Sequence, residues 1–155
     1  MKLRIVAVGH RMPAWVTAGC DEYARRMPRT FPLEIVDIKP EPRVDGKPIA
    51  KLLAAEAARI RAACRGAKVV ALDERGQTWT TRMLADALAR WCDDGQDVAF
   101  VIGSADGLAE EVKRGAAAVV ALSALTLPHG LVRVVVAEQL YRVLSLLGGH
   151  PYHRE

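Results

Sequence analysis

The sequence predicts a single α/β domain with a mostly parallel sheet and flanking helices. Three observations carry this. Short apolar runs recur along the 155 residues, at 2–8, 33–38, 68–72, 98–102 and 116–120. Stretches with helical spacing alternate with them. The run from Val98 to Ile102 is apolar without interruption, as a strand buried on both faces requires.

Residues 2–8 alternate and then run apolar, a first strand ending at Gly9. Pro13 suits a first helical position, and Trp15, Ala18 and Glu22 continue at helical spacing to Arg26. Residues 33–38 form a second strand. The prolines at 40, 42 and 48 and Gly46 make residues 40–48 a surface loop. An alanine-rich helix over 49–64 places Leu52, Leu53, Ala57 and Ile60 on one face, and Gly66 ends it. Residues 68–72 form a third strand, closed by a turn at Asp73, Glu74, Arg75 and Gly76. Thr80 or Thr81 caps a helix running to about Cys92. After a turn at 93–97 comes the strand 98–102. Gly103 to Gly107 then turns the chain into a short helix over 108–114. The fifth strand, 116–120, leads to a ten-residue loop and a long helix from about Leu131 to Leu147.

Projected at about 100° per residue, Glu138, Gln139, Arg142 and Ser145 of that helix share an arc of roughly 120°. Most aliphatic residues take the rest. So wide an apolar surface implies burial on more than one side, as in a homodimer core. Arg133 lies inside the apolar face, where a first-turn residue snorkelling to solvent is the simpler reading than a ligand contact.

Half of the residues are hydrophobic (51%) and only 5% aromatic, so the core is aliphatic. No run approaches the roughly 18 apolar residues of a membrane span, and the first residues carry no leader pattern. Cys20, Cys64 and Cys92 are odd in number and widely spaced. They imply reduced thiols in a cytoplasmic protein, not a disulfide frame or a zinc site. His129, His150 and His153 have no acidic or thiol neighbour in sequence, so no metal is expected there either. The net charge of +4 is uneven. Residues 1–68 hold 14 Lys/Arg against 7 Asp/Glu, and the remainder 8 against 11. A basic first half suits a polyanionic partner, although the same residues could only solvate helix faces.

In parallel α/β sheets ligands sit beyond the carboxyl ends of the strands. Three of those ends carry ligand-like turns: Leu72-Asp73, Gly103 to Gly107, and Leu122, Ser123, Ala124, Leu125, Thr126 and Leu127. The last offers two hydroxyls, free backbone groups and leucine walls, enough to hold an adenine and ribose. The residues alone also permit a plain strand-to-helix connection. Gly9-His10-Arg11-Met12-Pro13 is no dinucleotide fingerprint, and no Walker loop is present.

Leu122-Ser-Ala-Leu-Thr-Leu-Pro-His129, then Leu131-Val-Arg-Val134, Glu138 and Tyr141-Arg142, resemble the signature of the SPOUT-type large-subunit ribosomal RNA methyltransferase H family. The opening Met1 to Gly9 and the closing His150-Pro-Tyr-His-Arg-Glu155 match as well, so the resemblance spans the chain. It implies an α/β domain with a C-terminal trefoil knot and a homodimer built on the knot helices. It also implies S-adenosylmethionine as methyl donor and the N3 position of a pseudouridine in 23S rRNA as acceptor. On the matching positions, Leu72, Gly103 and Leu122, Ser123, Ala124, Leu125, Thr126 and Leu127 would hold the donor. Tyr152, His153 and Arg154 would be catalytic, offering an aromatic hydroxyl, a group titrating near neutrality and a fixed cation for the anion that forms on the base.

The family's usual Gly-Gly-Pro-Glu-Gly is here Gly103-Ser104-Ala105-Asp106-Gly107, and Gly130 stands where a proline is frequent. A positive φ at Ser104 would cost on the order of 1 kcal/mol. Asp106 reaches less far than glutamate, and Gly130 is expected to loosen the helix start. The alternative reading that follows is a non-catalytic RNA-binding or ribosome-assembly protein of the same fold, with weakened donor affinity. An enzyme using another nucleotide is disfavoured by the missing phosphate loop.

Overall fold

A computed structural model describes the backbone of residues 1–154 and the side chains of residues 1–152. In order, the elements are β1 (Leu3–Val8), α1 (Ala14–Arg26), β2 (Leu33–Ile38), α2 (Ile49–Ala63), β3 (Ala67–Thr78), α3 (Thr81–Asp93), β4 (Asp97–Ile102), α4 (Glu110–Arg114), β5 (Ala118–Ala121) and α5 (His129–Leu147). A short 3-10 helix follows at Pro151–Arg154. The five strands form one parallel sheet in the order β2-β1-β4-β3-β5.

Strand alternation divides the core into two layers. Leu3, Ile5, Val70, Val98 and Phe100 meet α3 and α5, with Tyr23 of α1 and Met27 just after it at the margin. Val6, Val8, Ala71, Ala99 and Val101 meet α2 and α4. β1 and β4 are buried on both faces, which accounts for their near-continuous apolar sequence. Each fully buried leucine, isoleucine or valine contributes about 1.5–3 kcal/mol of transfer free energy, so these two strands anchor the domain. The connection from β1 leads outward to β2, and that from β4 leads the other way to β5. β1 and β4 are neighbours, so a crevice opens at their carboxyl ends.

Four local expectations change. β3 does not end at Leu72. It leaves β4 there but continues to Thr78 along β5, with Leu72 and Gln77 both opposite Val120. Asp73 to Gly76 is therefore a bulge inside a strand, built with turn chemistry: the Asp73 carboxylate accepts the Arg75 amide at 2.8 Å. Gly76 is needed there, because a Cβ would lie 2.7 Å from the Val119 carbonyl. The fifth strand is Ala118–Ala121, shifted from the expected 116–120, and α4 begins at Glu110 after Ala109 as cap. α5 begins at His129, two residues early, since Pro128 (φ −67°) is already set as its cap. Thr80 caps α3 as expected, its hydroxyl accepting the Met83 amide at 3.2 Å.

Gly130 does not loosen the start of α5. It lies within the first turn, where a Cβ would sit 2.9 Å from Val16 Cγ2 of α1. Gly19 of α1 in turn faces Val134 at 3.1 Å. The two glycines let α1 and α5 approach closely. α5 is covered by α1, α3 and the sheet within one chain, and none of residues 129–146 is fully exposed. Its broad apolar arc is thus largely used inside the protomer.

Candidate active site

The carboxyl ends of β1, β4 and β5 and the bulge in β3 surround an open cleft of about 1120 Å³. Leu72, Gly103, Leu122, Ser123, Leu125, Thr126 and Leu127 line it, bringing together all three ligand-like turns. Ala124 belongs to the same loop but is exposed and does not line the cleft. The Ser123 hydroxyl accepts the Leu125 amide at 2.9 Å. Among the described residues the amides of Ala124, Thr126 and Leu127 have no partner in the chain. Unpaired backbone groups with leucine side chains suit an adenosine, which needs apolar contact on the ring faces and hydrogen bonds at its edges. Trp15 and Leu125, 57% and 75% exposed, stand at the rim.

Gly103 is required by the chain itself. A Cβ there would lie 2.5 Å from the Gly107 carbonyl oxygen and 2.9 Å from Leu108 Cγ. The turn closes with the Gly107 amide on the Ser104 carbonyl at 2.9 Å. The positive φ falls on Gly107 (+83°), not on Ser104, so the strain expected from the departure at 104 does not arise. Ser104 instead donates to buried Glu56 at 2.9 Å and accepts from Arg43 Nη2 at 2.9 Å. Arg43 also reaches Glu56 at 2.8 Å and Asp106 at 2.9 Å. Asp106 is long enough for its partner, and the turn is tied to the 40–48 loop and α2.

Arg133 does not snorkel. It is 2% exposed and bridges strand ends. Its Nη1 pairs with Asp37 at the end of β2, Nη2 donates to the Gly9 carbonyl at 3.2 Å, and Nε donates to His129 Nε2 at 2.9 Å. His129 Nδ1 lies 3.1 Å from the Gly103 carbonyl. A carbonyl only accepts, so Nδ1 carries the proton and Nε2 the lone pair: the ring is neutral. Burial, and then the Arg133 charge, hold its pKa below the usual 6.5. Neither residue was among the expected site residues. The one signal was a lone arginine on an apolar helix face.

Cys20 and Cys64 are buried free thiols, and burial pushes Cys64 up to about 11. That keeps it protonated and a poor nucleophile. Among the described residues no group of His, Cys, Asp and Glu is arranged to hold a metal, and no helix is long and apolar enough to cross a membrane.

After Gly148-Gly149 the tail folds back. The His150 amide bonds the Ser145 carbonyl at 2.8 Å, and Tyr152 turns back onto α5. Its ring meets Tyr141 edge-on at 4.7 Å and lies under the Arg142 guanidinium at 5.0 Å, while its hydroxyl donates to Glu138 at 3.2 Å. Burial, the Tyr23 hydroxyl and Glu138 raise the Tyr152 pKa, so the phenol stays protonated. Within one chain Tyr152 does not meet the cleft. His153 and Arg154, expected beside it in catalysis, have side chains outside the described residues.

Comparison with known proteins places these features. Residues 1–153 match the model of the family described as "Predicted SPOUT methyltransferase". The chain is 57% identical to a ribosomal RNA large subunit methyltransferase H of Nitrosospira multiformis and 56% identical to that of Burkholderia mallei, over 99% of each chain. Two solved methylase-family structures share the fold. One from Haemophilus influenzae has a TM-score of 0.62 at 12% identity, covering 97% of this chain and 69% of that one. One from Neisseria gonorrhoeae has a TM-score of 0.55 at 18% identity, covering 90% and 81%. With five parallel strands, a cleft at their carboxyl ends and a full-length family match, the chain belongs to the SPOUT methyltransferases, and its fold is theirs.

Proposed function

We propose that this protein methylates N3 of a pseudouridine in 23S rRNA, with S-adenosylmethionine held by Leu72, Gly103 and loop 122–127. The observation that carries the reading is the convergence of these separated segments on one cleft, with unpaired loop amides beside leucine walls. The near-identical length and 56–57% identity to proteins named large subunit methyltransferase H supply the substrate class. When bound, S-adenosylmethionine supplies an electrophilic methyl group. The protein's share is positioning: leucines fix the adenosine, and the bare Gly103 keeps the cleft floor clear. The acceptor nitrogen must lose its imide proton, and a cation beside the base lowers the cost of the resulting anion. Arg154 fits that role. Tyr152, held protonated with its one proton on Glu138, offers its ring and an accepting hydroxyl oxygen to the base, and His153 is the group able to take a proton near neutrality.

In this reading the protein is a cytoplasmic homodimer. Tyr152 lies away from the cleft of its own chain, so the tail serves a partner's cleft. The departures at 104–106 leave an unstrained, well-bonded turn, so no feature favours a protein that has lost its donor. Mass mapping of large-subunit rRNA from cells with and without the gene tests the reading. One 14-Da increment at a pseudouridine, absent from the deletion strain, is expected; identical maps would overturn it.

A further inference from the structure

We propose that His129 and Arg133 are positioning residues for the methyl donor, fixing the Gly103 carbonyl and the ends of β1 and β2 against the exit of loop 122–127. This rests on the methyltransferase reading. A single hydrogen-bonded chain runs Asp37–Arg133–His129–Gly103, across the ends of three adjacent strands in the order β2, β1, β4. It straddles the crevice where the connections from β1 and β4 diverge. Both side chains come from the first two turns of α5, which begins directly after the cleft loop and Pro128. Holding His129 therefore holds the loop exit and the Gly103 turn to each other.

The cluster is a poor way to hold a helix. A buried guanidinium stabilises less than an aliphatic side chain of similar volume, because its desolvation offsets most of its attraction. Farther along, Val136, Ala137, Leu140 and Val143 pack α5 onto the sheet with apolar contact alone. The buried arginine sits at the end that faces the cleft, where His129 itself lines the wall. Gly9 completes it. A Cβ at that position would lie 3.1 Å from Arg133 Nη2 and 3.3 Å from His129 Nε2, so the bare backbone is what lets the pair reach the strand end. Such preorganisation sets the shape of the cleft before the donor arrives.

Calorimetric titration with S-adenosylmethionine tests this on wild type, Arg133→Lys, His129→Leu, His129→Asn and Asp37→Ala, each first checked for melting temperature and oligomeric state. Lysine keeps the charge but lacks the fork that spans three acceptors. Leucine keeps the volume at 129 and removes the donor; asparagine's Nδ2 restores a donor near the position of Nδ1. Donor Kd should rise about tenfold or more in Arg133→Lys and His129→Leu, and stay within roughly threefold in His129→Asn. Asp37 is half-exposed and lies outside the cleft wall, so Asp37→Ala is the milder change and should weaken the donor about threefold. At saturating donor, kcat should stay near wild type, placing the loss in donor KM. Folded Arg133→Lys and His129→Leu proteins with wild-type affinity would overturn the proposal. So would a His129→Asn protein as weak as His129→Leu. If either buried variant unfolds, unchanged affinity in Asp37→Ala decides against it. A wild type that takes up no donor removes the methyltransferase reading first, and the same titration shows that separately.

Discussion

The proton on His129 makes one residue a reporter for the site. Its folded-state pKa lies below that of the unfolded chain, where imidazole titrates near 6.5. Between those values the unfolded state binds the proton and the folded state does not. The stability tied to neutral His129 is therefore complete above about pH 6.5 and lost as pH falls through the lowered value. Arg133 on α5 and Asp37 on β2 are the charged groups that act on it. Urea midpoints of wild type and His129→Asn at pH 7.5 and pH 5 measure this. The wild-type advantage should shrink at pH 5; an unchanged gap would mean the imidazole does not titrate on unfolding. Gly103 gives a second residue-level test. Gly103→Ala drives a Cβ into the Gly107 carbonyl, so it should cost about 1–3 kcal/mol of stability, read as a lower urea midpoint. Wild-type stability would show that the turn opens freely. The place of Gly103 on the cleft was legible, because a glycine at a strand end is a local feature. The His129–Arg133 pair was not. Its partners at Asp37 and Gly9 lie 96 and 124 positions from Arg133, a distance no spacing rule spans.

At the scale of elements, hydrophobic period and caps located each strand and α-helix among the described residues, because each was strongly apolar on the face it buries, but not the short 3-10 helix at Pro151–Arg154. Boundaries moved where pairing, not pattern, decides them. Asp73 to Gly76 has the composition of a closing turn, and only the continued ladder to β5 shows it to be a bulge. The reading of α5 moved more. Its wide apolar arc pointed to a dimer core, yet Leu140 is fully buried within one chain. Leu140→Arg would therefore unfold the protomer and cannot report on assembly. The α1–α5 contact gives a cleaner prediction. Alanine in place of glycine gains about 1 kcal/mol of helix propensity. At Gly130 the new Cβ meets Val16, 1% exposed and unable to retreat, at 2.9 Å. Gly130→Ala should therefore be net destabilising by about 1–2 kcal/mol, checked by urea denaturation. A stabilised variant would show that α1 and α5 can separate without loss.

For the whole molecule, the charge asymmetry seen in the sequence is largely consumed internally. Arg25 and Arg26 share Glu22, Arg59 pairs with Glu41 and Arg61 with Glu111. Among the described residues Arg11, Arg29, Lys39, Lys51 and Arg65 make no ion pair, and these are the cations of the first half free to meet phosphate. Each phosphate contact they make should contribute about one unit to the slope of log affinity against log salt.

In the proposed reading the site as a whole needs a second chain. Tyr152 is fixed on its own α5 by Glu138, Tyr141 and Arg142, whereas loop 122–127 lies before the start of that helix. A helix of 19 residues spans about 28 Å at 1.5 Å per residue. A tail docked toward one end cannot serve the cleft at the other, but an antiparallel partner helix would carry its own tail to it. Two deficient chains test this. Deleting residues 150–155 removes the tail at little structural cost, since Tyr152 is its one packed side chain among those described. Thr126→Trp fills the cleft from an exposed position and leaves the core alone. Each homodimer should transfer no methyl group. In a mixed dimer one cleft is open and faces an intact tail, so mixing equal amounts should restore about a quarter of wild-type activity: half of the dimers mixed, one working site in each. Mixed dimers that form, shown by differential tagging, and stay inactive would place each tail in the site of its own chain.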